Sequence, residues 1–313
     1  MDMATINASL DNIIGRVERA EALDRPANAL ANLVGKWLKP GPVKNLLSGT
    51  GTGHPAHPIL ILLPLGSWAS AFFLDLAGGP DGGSATAARR LIILGNLTAL
   101  PTALTGLSDW ADTQGAERRV GFVHAALNIT ALGVFTASAA ARATQARGAG
   151  VLTAALGMGL VSASGWLGGH LAYARGVGTD TTAFEVASPD WTDVAALEDV
   201  SDKPVCVDAG GVAVLLVRHD GEVRAISDRC THRGGPLHEG TIVDGCVECP
   251  WHGSRFRLAD GQIDRGPATR PQRAFEVRAV DGRVQVRAVA DPGSLRTEPV
   301  TGSAGLNGGG SSS

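Results

Sequence analysis

Four side chains in the last third of the chain have the types and the spacing to hold a transition metal. Cys230 and His232 lie in Cys-Thr-His-Arg-Gly-Gly-Pro-Leu, and Cys249 and His252 lie in Cys-Pro-Trp-His-Gly-Ser-Arg-Phe. The pattern is Cys-x-His, sixteen residues, then Cys-x-x-His. Thiolate and neutral imidazole are the ligands that zinc and iron–sulfur centres select. Zinc fingers keep their two cysteines together and their two histidines together. Here each segment supplies one of each, which suits an iron–sulfur centre with mixed ligation better than zinc. Imidazole in place of thiolate lowers the negative charge of such a centre, eases its reduction and raises its potential. Gly234, Gly235 and Gly253 let backbone amides approach the sulfur atoms, and Pro236 and Pro250 stiffen the segments. Cys246 makes a Cys-x-x-Cys with Cys249, but its place in a strand-like run predicts a buried thiol, and Cys206 reads the same way. His219 and His238 lack ligand spacing and are expected in a turn and on a loop surface.

Short β-branched runs must position these segments: residues 205–208, 212–217, 222–226, 275–280 and 283–288. Asp208-Ala-Gly-Gly, His219-Asp-Gly and Asp281-Gly supply tight turns between them. Strands this short and regular predict an all-β antiparallel sandwich or small barrel. With its two ligand loops, this region over about 190–290 resembles the Rieske [2Fe-2S] domain family. The resemblance implies that Cys230 and Cys249 hold one iron of a [2Fe-2S] cluster and His232 and His252 the other, with the histidine edge exposed to a partner. It also implies a subtype. The respiratory Rieske proteins join their two loops by a disulfide; Gly235 and Trp251 stand at the matching positions, so the chain resembles the Rieske ferredoxins and the cluster domains of ring-hydroxylating oxygenases. Ser254 matches a serine that hydrogen-bonds the cluster in the respiratory type, while Phe256 replaces the accompanying tyrosine, which implies a lower potential.

The first half is different in kind. Residues 59–78, 91–110, 120–141 and 151–173 form four apolar stretches, each long enough to cross a bilayer core as a helix. Breaks at Gly79-Pro80-Asp81-Gly82-Gly83, 112–119 and 142–150 suit short loops, and recurrent small residues such as Gly157, Gly159, Ser162, Gly165 and Gly169 let membrane helices approach closely. An all-α transmembrane four-helix bundle is therefore expected, with both chain ends on one side. His54, His57, His124 and His170 then gather at the membrane face that carries the cluster domain. Ionisable groups in a membrane helix mark function. Two of His57, His124 and His170 are candidate axial ligands of a b-type haem, with Asn128 beside His124 at i, i+4; a quinone pocket and a structural role are the alternatives. Asp75 has Arg89, Arg90 or Arg142 as candidate partners, and Asp109-Trp110 reads as an interfacial anchor. The stretch from His54-Pro-Ala-His57-Pro through Leu104-Thr-Gly-Leu-Ser-Asp109-Trp110 and His124 to Trp166-Leu-Gly-Gly-His170, about 54–175, resembles an uncharacterised family of bacterial four-helix membrane domains.

The expected organisation is a polar, amphipathic segment at 1–53, the membrane domain at 54–175, a linker at 176–189, the cluster domain at 190–290 and a Gly/Ser-rich disordered tail at 291–313. A net charge of -3 and no basic cluster with interleaved aromatics argue against nucleic acid. Five membrane-proximal cations on the terminal side (Lys39, Lys44, Arg118, Arg119, Arg175) against four opposite (Arg89, Arg90, Arg142, Arg147) leave the positive-inside rule undecided. With no export signal seen and the cysteines looking reduced, the cluster domain is expected on the cytoplasmic side of a bacterial cell membrane. The chemistry predicted is one-electron transfer between a soluble redox partner or quinone and the membrane domain, or a redox-sensing module that the membrane domain merely anchors. A complete ring-hydroxylating oxygenase is not expected, since no histidine follows His252 to build a mononuclear iron site.

Overall fold

The computed structural model describes residues 3–78 and 82–289. Three helices precede the bundle: α1 (Met3–Glu18), α2 (Asp24–Trp37) and α3 (Pro42–Ser48). A short α4 (Ala56–Leu60) runs into α5 (Leu62–Ala77), followed by α6 (Gly82–Ala111), α7 (Gly115–Ala143) and α8 (Arg147–Gly169). Consecutive members of α5 to α8 pack on one another, and α5 also packs against α8, closing a ring of four. Four helical stretches, Ala56–Ala77, Gly83–Ala111, Gly115–Ala143 and Arg147–Ala174, are long and apolar enough to cross a bilayer. Each exceeds its expected core, because polar flanks such as residues 115–119 continue the helix where hydropathy sees a loop. Gly82 and Gly83, expected in a break, begin α6, where the first amides need no helical partner. Residues 79–81 of that break and the expected tail at 291–313 lie outside the described residues.

Leu63, Phe73, Leu97, Leu104, Ile129 and Leu152 are exposed on the outside of the bundle, as lipid-facing side chains must be. Inside, Trp68 stacks on Phe135 with ring centroids 4.4 Å apart and donates its indole N–H to Asn96, 3.1 Å. A Cβ on Gly157 would fall 2.8 Å from the Phe135 ring, so only glycine allows α8 this close. Gly159 and Gly165, in the same small-residue series, face open space. Among its three candidate partners Asp75 takes Arg142, while Arg89 and Arg90 are exposed.

The N-terminal segment caps the cluster-side end of the bundle. Ala27, Ala31 and Val34, at helical spacing on α2, are buried. Ala27 and Ala31 pack on Trp110, which is only 8% exposed and donates its indole N–H to the Arg118 carbonyl, 3.0 Å. Trp110 is therefore a buried packing residue, not the expected interfacial anchor, because α2 covers the site where lipid headgroups would lie.

The second half is all β. Its strands are β1 (Thr192–Ala196), β2 (Val205–Asp208), β3 (Ala213–His219), β4 (Glu222–Ser227), β5 (Thr241–Val243), β6 (Cys246–Glu248), β7 (Arg255–Arg257), β8 (Ile263–Arg265), β9 (Phe275–Val280) and β10 (Arg283–Ala288). They pair antiparallel in three sheets, β1-β10-β9, β2-β3-β4 and β5-β6-β7-β8. Asp220-Gly221, Asp244-Gly245 and Asp281-Gly282 each carry two positive φ angles between directly paired strand ends, the two-residue hairpin that matches strand twist. The continuous apolar run of β3 is explained by two cores. Val214 and Leu216 face one with Val284 and Val286, and Leu215 and Val217 face another with Val247, Phe256, Cys230 and Cys249.

Candidate metal centre

Two loops with the same backbone frame carry the four candidate ligands. In the loop after β4, the Cys230 amide donates to the Gly235 carbonyl, 2.9 Å, and the Gly234 amide to the Cys230 carbonyl, 2.7 Å. In the loop after β6, the Cys249 amide donates to the Ser254 carbonyl, 2.8 Å, and the Gly253 amide to the Cys249 carbonyl, 3.1 Å. The glycine four residues after each cysteine is left-handed, at φ 75° and 73°. The unequal Cys-x-His and Cys-x-x-His spacings thus sit in equivalent frames, which the sequence pattern alone does not reveal.

The loops face each other closely. A Cβ on Gly235 would lie 2.9 Å from the Cys249 Sγ and 3.0 Å from the Trp251 ring. The two thiols act on each other, and that interaction brings Cys249 down to about 7 while holding Cys230 well above the ordinary thiol range. The His232 and His252 rings meet edge to face, centroids 5.0 Å apart. Burial drives His232 well below the usual imidazole range and also lowers His252, so both present the neutral form that ligates metal. The His232 Nδ1 is buried without any protein partner, an arrangement that costs stability unless something else binds there. The Ser254 hydroxyl accepts from the Ala268 amide, 3.0 Å, in a fully buried position. Pro236 bridges back to Arg229, and Trp251 is exposed.

Several supporting residues were not foreseen. Thr181, in the expected linker, donates its hydroxyl to the Cys230 carbonyl, 2.9 Å, and its amide to the Thr231 carbonyl, 3.2 Å. The Thr231 hydroxyl donates to the Arg270 carbonyl, 2.7 Å, and Gln272 to the Arg229 carbonyl, 3.1 Å. The most consequential neighbours come from the helical half. The histidine edge, expected at an exposed surface, lies against the turn between α6 and α7: Asp112 Oδ2 is 3.6 Å from His232 Nε2. Arg233 pairs with Glu117, and the Asn45 side chain accepts the Gly266 amide, 3.0 Å. Both histidines are consequently only partly exposed, because this chain's own helical domain covers them. No local signal links Asp112 to a loop about 120 residues away. A cleft of about 390 Å³ opens beside the centre, lined among others by Leu38, Pro40, Lys44, Trp251 and His252.

Cys246 is buried as expected, and burial raises its thiol. Cys206 is exposed, contrary to expectation, because strand alternation on the edge strand β2 turns Val205 and Val207 inward. Its thiol, with Asp228 and His238, brings three ligand-type atoms within 4.8 Å of one another, and His238 Nδ1 bonds Asp228 at 2.8 Å.

The membrane histidines divide. His57 and His124 approach to 6.5 Å between ring centroids. Each points its Nδ1 at a helix carbonyl, His57 at Thr102, 2.9 Å, and His124 at Ser164, 2.8 Å. Asn128 lies where its spacing predicted, its amide 3.1 Å from His124 Nε2. His170 is not part of this pair: its Nε2 bonds Glu18 of α1, 2.8 Å, which Arg175 also holds. The hydrogen bonds from Arg175 and His170 outweigh burial and keep the Glu18 carboxyl below its ordinary range.

Comparison with known proteins divides the chain the same way. Residues 190–280 match the Rieske [2Fe-2S] domain family, and residues 53–181 match a family described as a predicted membrane protein (DUF2231). The chain is 34% identical over 103 residues to the anthranilate 1,2-dioxygenase ferredoxin subunit of Burkholderia cepacia, covering 33% of this chain and 95% of that protein. It is 38% identical over 82 residues to apoptosis-inducing factor 3 of Homo sapiens, covering 26% of this chain but only 14% of that protein. The ferredoxin of carbazole 1,9a-dioxygenase from Nocardioides aromaticivorans IC177 aligns at 30% identity over 31% of this chain and 96% of its own, with a TM-score of 0.30.

Proposed function

This chain belongs to the Rieske [2Fe-2S] domain family, and from that premise we propose that it is a membrane-anchored one-electron carrier whose cluster is held by Cys230 and Cys249 on one iron and His232 and His252 on the other. The observation that carries this reading is the convergence of the four side chains from two equivalent loops, with the His232 Nδ1 buried and unpaired. When bound, the cluster supplies a site that accepts and returns a single electron. The protein's part is to orient and to insulate. Gly235 admits the close approach of the loops, Gly234 and Gly253 shape them, Pro236 stiffens one, and Ser254 and Trp251 flank the second.

Electron exchange with the membrane domain is favoured by the covered histidine edge. His57 packs on Gly106 of α6, and Asp112 sits just past the end of the same helix, six residues or about 9 Å further along the axis. The pair His57 and His124, each with Nδ1 tied to a carbonyl in the manner of metal-ligating histidines, is the proposed site of a second redox group, a b-type haem or a quinone. The bond from Asn128 to His124 Nε2 favours the second reading, a redox-sensing module whose membrane half is structural. The ferredoxin relative points to a soluble redox protein as partner, which would approach the cluster through the exposed Trp251 beside His252. Four spans leave α1 to α3 and the cluster domain on one side, which we assign to the cytoplasm on account of the free thiols of Cys206 and Cys246.

Purification of the full chain in mild detergent tests the assignment. Iron and acid-labile sulfide in equal amounts, with a paramagnetic resonance signal on reduction, are the expected result; zinc or a colourless protein overturns it. Haem bands in the same preparation that vanish in His124→Ala support the haem, and their absence with an intact cluster supports the sensing module or a quinone. Cys246→Ser is expected to retain full iron content, since Cys246 lies on β6, outside the two loops that carry the candidate ligands; loss of iron in that variant would show that the ligand set is wrong.

A further inference from the structure

We propose that Asp112 and Lys44, both from the helical half of the chain, set the reduction potential of the centre in the β half by holding a fixed pair of opposite charges against His232. The proposal rests on the ligand assignment above. Asp112 Oδ2 is 2.8 Å from Lys44 Nζ and 3.6 Å from His232 Nε2, and the two side chains are only 14% and 4% exposed. Lys44 is anchored by a second bond, donating to the Ser108 carbonyl at 2.7 Å. That carbonyl belongs to the last turn of α6, where carbonyls lack helical partners and a cation is favoured. Asp112 Oδ2 is buried and makes no well-formed hydrogen bond even with Lys44 beside it. It therefore keeps acceptor capacity, and His232 Nε2 stands a few tenths of an ångström beyond bonding distance. The arrangement is held in register by the Arg233–Glu117 ion pair and the Asn45–Gly266 hydrogen bond.

Charges shielded from water act more strongly on one another than charges on a surface. An anion beside a ligating imidazole stabilises the oxidised, more positive state and lowers the potential; a cation there does the opposite. Lys44 and Asp112 oppose each other, so removing either unmasks its partner. A residue that served only to hold the two domains together would not produce shifts of opposite sign.

The test is a redox titration of the full-length protein in detergent, followed by paramagnetic resonance. Asp112→Asn, which keeps the shape of the side chain, is expected to raise the reduction equilibrium constant about tenfold, ~59 mV for one electron. Lys44→Met is expected to lower it by a similar factor. Shifts in one direction for both variants, or an unmoved potential in Asp112→Asn, overturn the proposal while the signal itself upholds the ligand assignment. If Lys44→Met does not fold, Asp112→Asn decides alone. A wild-type protein without the signal overturns the ligand assignment instead, so the two failures are distinct.

Discussion

Cys249→Ser is expected to purify as a folded but colourless protein, with iron and sulfide below about a tenth of the wild-type content. The loop around Cys249 is closed by backbone bonds to Ser254 and from Gly253, neither of which uses the thiol, so its frame survives the substitution. Serine is close in size, and the site is almost completely buried. What changes is the chemistry. The interaction with Cys230 leaves the Cys249 thiol ionising at about 7, close to working pH, whereas a serine hydroxyl stays protonated and offers iron no anionic soft ligand. Metal analysis and the visible spectrum read the loss, and far-ultraviolet circular dichroism checks that the β domain is intact. A variant that kept iron and sulfide at the wild-type level would remove Cys249 from the ligand set. The contrast with Cys246→Ser, three residues away on β6, makes the comparison specific to the loop and not to cysteine content.

Asp75→Leu should destabilise the helical bundle severely, by about 3–5 kcal/mol, the usual result of stranding one member of a buried ion pair. The Asp75 and Arg142 side chains are 0% and 3% exposed. Arg142 Nη1 donates to Asp75 Oδ1 at 2.8 Å, and the same guanidinium reaches the Gly150 carbonyl and the Ser138 hydroxyl. Those bonds tie α5, α7 and α8 together at the end of the bundle remote from the cluster. Without its carboxylate the guanidinium remains a desolvated charge among helices, and only carbonyls and a hydroxyl are left to compensate it. Arg142→Leu should be comparably harmful. The double replacement Asp75→Leu with Arg142→Leu should recover most of the loss, because two apolar groups leave no charge unpaired. Thermal unfolding in detergent of the wild type, both single variants and the double variant measures this. Additive losses in the double variant would contradict a coupled pair.

The features legible before folding are those encoded in short windows. Helix length follows from a run of apolar residues. A hairpin follows from Asp-Gly because both residues tolerate positive φ, and Asp220-Gly221 and Asp281-Gly282 behave as expected. The strands β5, β7 and β8 were missed, and β6 was anticipated only as the strand-like run at Cys246. Each has only three residues, too few to show a period of two, and they are held by the loops they flank. Asn128 lay beside His124 because i, i+4 neighbours on a helix share a face. The same reasoning failed for Trp110, which looks interfacial until α2 covers it.

The two-part architecture and the cysteine and histidine spacing are legible in the chain before it folds, because each is written in neighbouring residues. Tertiary structure alone decided that Asp75 chooses Arg142 over Arg89 and Arg90, that Gly157 and not Gly159 meets a neighbouring helix, and that the histidine edge turns toward Asp112 and Lys44 instead of solvent. Those outcomes depend on how helices rotate against one another and how a β domain docks on a bundle. Docking sums many weak contacts between residues far apart in the chain, and no short stretch of sequence contains that sum.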